Sequence, residues 1–300
     1  MFSIEITNLN FSYNVKSPIL KNLNLQVPKG SIYGFIGHNG AGKSTTMRLI
    51  AGLYPDDFKK VKVFDKYISD QLPNIFNRIG ALIESPTLYQ HLSGEDNLKY
   101  IATIRKVDFD KIDDILNTVD LLQAKKKLVK NYSLGMKQRL AIAMAMIHDP
   151  ELLLLDEPIN GLDPTGIIEM RELLLKINQE KGTTIFISSH LLGEIEKTCT
   201  HVGIIARGEI KFEGTIKELE NTFSTFLIEI ETNLNVDTSN WILNNIQSAQ
   251  ILSKQLVAFS IIQKEDIPQL IKKLTEQNIP IYSLKNKRGL EEWFLEITNN

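Results

Sequence analysis

Residues Gly37 to Ser44, Gly-His-Asn-Gly-Ala-Gly-Lys-Ser, match the pattern G-x-x-x-x-G-K-[ST], in which each residue type has a task in holding a polyphosphate. The glycines let successive backbone N–H groups face one anion, and a helix beginning near Lys43 adds the positive end of its dipole. The Lys43 ammonium reaches toward β- and γ-phosphates, and the Ser44 hydroxyl suits Mg²⁺. Expected nucleotide contacts are therefore Gly37, His38, Asn39, Gly40, Ala41, Gly42, Lys43, Ser44 and Thr45. A plain glycine turn would explain the glycines but not the lysine and serine that follow them. A second chemical feature is Leu152-Leu153-Leu154-Leu155-Asp156-Glu157-Pro158, an apolar strand ending in two carboxylates. Successive residues at a strand end point in different directions. Asp156 therefore suits the Mg²⁺ shell, Glu157 suits polarising the water that attacks a γ-phosphate, and Pro158 ends the strand.

Several elements must position these groups. Loose alternation over Ile4–Tyr13 and Asn22–Val27 predicts half-buried antiparallel strands, and Ser31–Ile36 a short buried strand feeding the glycine loop and then a helix with Met47, Leu49 and Ile50 inward. From about Glu84 to Ile147 the apolar residues recur at helical spacing, which predicts a helical insert. Leu152–Leu155 and Thr183–Ser188 read as parallel strands covered on both faces, with a helix over Ile167–Asn178 between them. A short helix over Ile216–Glu220 and a linker at Thr222–Thr225 precede a second part. There Phe226–Ile230 and Ile281–Leu284 read as strands, and Ile267–Leu274 and Leu290–Ile297 as helices.

With those motifs in that order, residues from about Ile4 to Gly214 resemble the nucleotide-binding subunits of ABC transporters. The resemblance implies an α/β fold: a P-loop ATPase core with an antiparallel β subdomain and a helical subdomain at about 85–147. The ATP-binding domain is expected over 1–221, and a small α+β accessory domain over 222–300. Tyr132-Ser133-Leu134-Gly135-Met136-Lys137-Gln138-Arg139 stands where the family has its signature, with Ser133 and Gly135 kept while Leu134 and Met136 depart from it. A serine hydroxyl and free N–H groups at a helix start still make an anion site, here for ATP held by a second subunit, although a plain serine cap has the same sequence. Leu92-Ser93-Gly94-Glu95 looks like a second signature but lies too early, and reads as a helix start capped near Ser93 and Asp96.

The resemblance further implies that Asp163, in Asn160-Gly161-Leu162-Asp163, joins the two ATP sites of a dimer, and that His190 contacts the γ-phosphate and Glu157. Tyr13 resembles the aromatic on which adenine stacks, an interaction worth about 1–3 kcal/mol per base; an edge-strand tyrosine packed on its sheet is the other reading. His91, His148 and His201 read as packing or surface residues, as does the His38 imidazole. Glu84 stands where most members have a glutamine, and is expected to touch the nucleotide, to ligate Mg²⁺ with Ser44 and Asp156, and to contact the membrane partner. That variant, with the ending Gly289–Thr298, is similar to exporter subunits for bacitracin resistance, lantibiotic immunity and drug resistance.

Composition narrows the partners. Lys plus Arg number 34 and Asp plus Glu 36, a formal net charge of −2, which leaves no global basic field for nucleic acid. The lone Cys199 cannot form an internal disulfide and fits a reducing compartment. The longest apolar run, Leu140–Ile147, is far short of the roughly 20 residues of a membrane-spanning helix, and the first residues lack a signal-peptide pattern. The expected protein is an ATP hydrolase using ATP and Mg²⁺, a homodimer or heterodimer, cytoplasmic and peripheral on the inner face of the membrane through a separate permease. An ABC-type ATPase acting on ribosomes or nucleic acid is the alternative. One glycine loop, one signature and no sustained heptads weigh against it.

Overall fold

Alternating apolar side chains build the first layer. In the computed structural model, which describes residues 1–13, 18–55, 59–84, 87–223, 226–261, 263–286 and 289–299, strands β1 (Phe2–Ser12) and β2 (Pro18–Pro28) pair antiparallel, Ile4 opposite Val27 and Ile6 opposite Leu25. The period of two puts all four side chains into one buried face. Strand β3 (Ile32–Ile36) leaves for a second sheet and feeds helix α1 (Lys43–Ile50). The chain returns to the first sheet through β4 (Val61–Val63) and β5 (Lys66–Tyr67), giving the order β2-β1-β4-β5.

Strand β6 (Ile79–Leu82) precedes the insert, which holds α2 (Gly94–Arg105), α3 (Lys111–Thr118) and α4 (Leu134–Met146). Ser85 and Pro86, at the expected start of the insert, lie outside the described residues, and the first α-helix begins only at Gly94. Ser93 caps it, its hydroxyl accepting the Asp96 N–H at 3.1 Å. Helix α4 lies hard against β6: a Cβ at Gly80 would come 2.3 Å from the carbonyl oxygen of Ala145, so no larger residue fits there.

The second sheet is completed by β7 (Leu152–Asp156), β8 (Thr184–Ser189), β9 (His201–Ala206) and β10 (Glu209–Thr215), with α5 (Pro164–Lys181) and α6 (Leu192–Thr198) as connections. Its order is β10-β9-β3-β8-β7-β6, parallel except for the β9–β10 hairpin at one edge. β3 and β8 are buried throughout and β7 along its four leucines, as strands covered on both faces must be. Between the sheets and α1 lies one core that includes Ile4, Leu25, Phe35, Met47 and Phe186. Ile36 pairs with Ser189 and Asp156 with Ser188, so β3, β7 and β8 end level at the edge where open α/β sheets bind ligands.

The chain divides into two compact units, Met1–Thr215 and Ile216–Asn300. Helix α7 (Ile216–Thr222), assigned to the first part by the sequence reading, opens the second unit, and of the expected linker Ser224 and Thr225 lie outside the described residues. The second unit continues with β11 (Phe226–Glu231), α8 (Val236–Asn245), β12 (Ala249–Ser253), β13 (Leu256–Ile261), α9 (Ile267–Glu276), β14 (Ser283–Asn286) and α10 (Leu290–Asn299). Its sheet is antiparallel in the order β12-β13-β11-β14, a split βαββαβ arrangement. Ile242 of α8 with Leu270 and Leu274 of α9 covers Ile228, Ile230, Val257 and Phe259 on the sheet.

Candidate nucleotide-binding site

The loop after β3 is shaped by what its glycines permit. A Cβ at Gly37 would come 2.5 Å from the carbonyl oxygen of Ile205 in β9, so glycine alone lets the loop turn against that strand. Gly42, at φ +113°, precedes α1 and offers no capping side chain, which leaves the first-turn N–H groups for another acceptor. Lys43 folds back over the loop, its Nζ donating to the carbonyls of Gly37 at 2.7 Å and His38 at 3.4 Å. Burial draws the Lys43 ammonium below the usual lysine range, while the carboxylates of Glu157 and Asp156 pull it upward.

Register places Ser188 beside the two carboxylates at the end of β7. The Ser188 hydroxyl donates to Asp156 Oδ1 and accepts the Glu157 N–H at 3.1 Å, and that N–H also approaches the Ser188 carbonyl at 3.1 Å. Glu157 is held at φ +51°, a left-handed conformation that costs a non-glycine residue about 1–2 kcal/mol. The turn brings Glu157 Oε2 to 2.8 Å from His190 Nδ1, whose N–H donates to the carboxylate.

A cavity of about 640 Å³ gathers Asn39, Gly40, Gly42, Lys43, Ser44, Thr45, Glu84, Asp156 and Glu157. Ile19, Leu134, Gln138 and Asn160 also line it, none of which the sequence reading marked as a contact. Gln138 had a usable signal, because it lies four residues after Leu134 and so shares its helix face. A larger cavity of about 810 Å³, walled by residues such as Phe76, Leu82, Ile101 and Ala141, lacks both the glycine loop and the strand-end carboxylates. Size therefore does not locate the chemistry.

Other expected residues stand around the first cavity without lining it. Gly37, His38 and Ala41 form the loop behind it, joined by the Ala41 N–H donating to the His38 carbonyl at 3.1 Å. Ser133 caps α4, its hydroxyl accepting the Met136 N–H at 3.2 Å, and Asp163 caps α5 by accepting the Gly166 N–H at 3.1 Å. Gly135 sits in the first turn of α4, while Leu134 lies where a Cβ on Gly161 would approach it to 3.3 Å. The ring of Tyr13 is edge-on to Phe11 and Tyr54, with centroids 5.2 and 5.6 Å away, and its hydroxyl is 3.1 Å from Thr45 Oγ1. Tyr13 is nevertheless 48% exposed, which leaves part of its ring open at the rim.

Glu84, at φ +72°, directs its carboxylate to Arg48, another residue outside the sequence reading. Among the described residues no group of three or more His, Cys, Asp and Glu side chains is arranged around a metal position. Mg²⁺ delivered with a nucleotide commonly takes one or two carboxylates and fills its octahedron with phosphate oxygens and water. Ser44 and Asp156, hard oxygen donors lining the same cavity, fit such a shell.

Residues 20–160 match the ABC transporter domain family. The bacitracin transport ATP-binding protein BcrA of Enterococcus faecalis is 44% identical, over 73% of this chain and 71% of that protein. The lantibiotic transport ATP-binding protein SrtF of Streptococcus pyogenes is 43% identical, over 74% of this chain and 95% of its own length. Among solved structures, cbiO1 from Clostridium perfringens, part of the ABC transporter complex cbiONQ, superposes with a TM-score of 0.68 at 28% identity, covering 73% of this chain and 91% of its own. The chain belongs to the ATP-binding proteins of the ABC transporter family. It is an ATP-binding subunit of a transporter, an ATPase whose hydrolysis is coupled to transport. Among the described residues no helix is long and apolar enough to cross a membrane.

Proposed function

We propose that this subunit powers the export of a peptide antibiotic or another drug-like compound. It works through a separate membrane permease, at the inner face of the cell membrane, as a dimer that encloses two ATP molecules. The observation that carries the reading is the convergence of Lys43, Asp156 and Glu157 on one cavity, with His190 fixed on Glu157. The cargo class is supported by BcrA and SrtF, named for bacitracin and lantibiotic transport.

In this mechanism the loop Gly37–Gly42 and the start of α1 receive the phosphates, and Lys43 exchanges its carbonyl partners for the β- and γ-phosphate oxygens. Mg²⁺, held by Ser44 and Asp156, would neutralise phosphate charge. Glu157 orients and polarises the attacking water, and His190 keeps that carboxylate in place. Tyr13 offers its open ring to adenine. Ser133 and Gly135, at the start of α4, cap the γ-phosphate of the ATP in the partner subunit, and Asp163 lies between the two sites. Leu82 lines the larger cavity and Glu84 the smaller, so the short segment after β6 runs between the two, and its loop is the part assigned to the permease contact.

A two-part experiment tests the reading. Lys43→Ala should abolish ATP binding, and the unaltered chain should co-purify an integral membrane protein from detergent-solubilised membranes and protect cells in an export or resistance assay. Unchanged affinity and turnover in Lys43→Ala would overturn the site assignment. A stable complex with ribosomes or nucleic acid, and no membrane partner, would replace the exporter with the remodelling alternative.

A further inference from the structure

Arg48 lies one helical turn beyond Ser44 on α1, and its guanidinium reaches groups on different elements, Tyr54 among them. One arm is ion-paired with Glu84, and the other donates to the Tyr13 hydroxyl at 3.3 Å, the same hydroxyl that meets Thr45. The Arg48 side chain is 24% exposed and that of Glu84 is 64% exposed, so the cation is the fixed member of the pair and the carboxylate the one free to leave. Glu84 also sits in left-handed backbone, which few non-glycine residues adopt and which aims its side chain from a turn.

We infer that Arg48 is the positioning residue for Glu84, holding that carboxylate away from the metal position until a metal–nucleotide complex competes with the guanidinium for it. The inference rests on the ATPase reading above. An unpaired carboxylate beside Glu157 and a triphosphate would add like charge to an already anionic site, and a neutral glutamine at position 84 would need no counter-ion. A planar guanidinium serves two acceptors in different directions, which a lysine ammonium does less well. Two cations, Arg48 and the metal, therefore share one carboxylate in turn.

The test uses Mn²⁺ with a non-hydrolysable ATP analogue on the intact chain, with bound metal measured by electron paramagnetic resonance. Arg48→Met should tighten Mn²⁺ binding about two- to fivefold, the range set by a partly exposed ion pair. In a Glu84→Gln background the same substitution should change it by less than about 1.5-fold, because no pair remains to break. Arg48→Lys, which keeps the charge, should fall between the unaltered chain and Arg48→Met. An unchanged Mn²⁺ affinity in Arg48→Met, or an equal change with and without Glu84, would overturn the inference while leaving the ATPase reading intact. Failure of the unaltered chain to bind the metal–nucleotide pair would overturn both.

Discussion

Removing the hydroxyl of Ser188 should disturb the site more than its single oxygen suggests. Ser188 is fully buried, and its Oγ donates to Asp156 Oδ1 while accepting the Glu157 N–H. In Ser188→Ala the Glu157 N–H keeps the Ser188 carbonyl at 3.1 Å, so the loss falls chiefly on Asp156. A hydrogen bond to a charged acceptor contributes about 1.5–3 kcal/mol, and a unit of this length loses about 2–4 °C in Tm per kcal/mol. The expected fall in the Tm of the ATPase unit is therefore about 3–12 °C by calorimetry. Turnover with Mg²⁺ should drop further than ATP binding in its absence, since Asp156 is misplaced while Lys43 is untouched. A Tm within about 1 °C of the unaltered protein, together with normal Mg²⁺-dependent turnover, would refute the argument that this hydroxyl holds the strand end.

Glu157→Gln should retain ATP but cut hydrolysis about 10²- to 10⁴-fold, the usual contribution of a positioned base. An ATP-bound dimer should then accumulate on size-exclusion chromatography, and a monomer with normal turnover would refute both claims. Glu95 pairs with Lys126 and Lys99 at 2.6 Å each, and those hydrogen bonds, Lys126 first, hold its carboxyl down to about 2. Because the folded value lies below the ordinary one of about 4.3, the stabilisation is present above that pH and is lost as pH falls toward 2. Glu95→Gln should therefore lower the Tm at pH 7 and leave it nearly unchanged near pH 2; equal losses at both would exclude the ion pairs as the cause. Deleting Ile216–Asn300 should spare ATP binding, because the expected site residues and their core belong to the first unit. A folded truncation without nucleotide affinity would show that the division is wrong.

Much of the site is encoded by local residue types. The glycine loop, the strand-end carboxylates and the caps at Ser93, Ser133 and Asp163 each need a particular residue at a particular backbone position, and such positions are legible in one dimension. The β9–β10 hairpin is less so, because its turn is Arg207-Gly208, with φ +52° and +84°, and an arginine there gives none of the usual turn signal of Asn-Gly or Asp-Gly. β4 and β5 are too short to display alternation. Helix α8 starts with a polar capping box at Asn235 and Thr238 and buries Ile242 as its main core residue, which gives periodicity little to register. The Arg48–Glu84 pair was hidden for another reason. It joins a helix to a loop through a left-handed backbone, and no spacing along the chain announces that meeting.

The contact between Gly80 and Ala145 also has a mechanical side. Ser133, the cap of α4, stands at one end of that helix, and the point pressed against β6 stands near the other, about 18 Å away at 1.5 Å per residue. With that end seated on the sheet, a tilt of about 10° would carry Ser133 through about 3 Å, roughly the length of a hydrogen bond. Such a tilt would turn about the seat that the missing Cβ at Gly80 allows, with the length of α4 as its lever arm. In the proposed mechanism, where Ser133 meets a phosphate of the partner subunit's ATP, movement of that size would be enough to make or break the contact. A bulky residue at position 80 would meet the Ala145 carbonyl and lift the helix off that seat, although position 80 lines neither cavity.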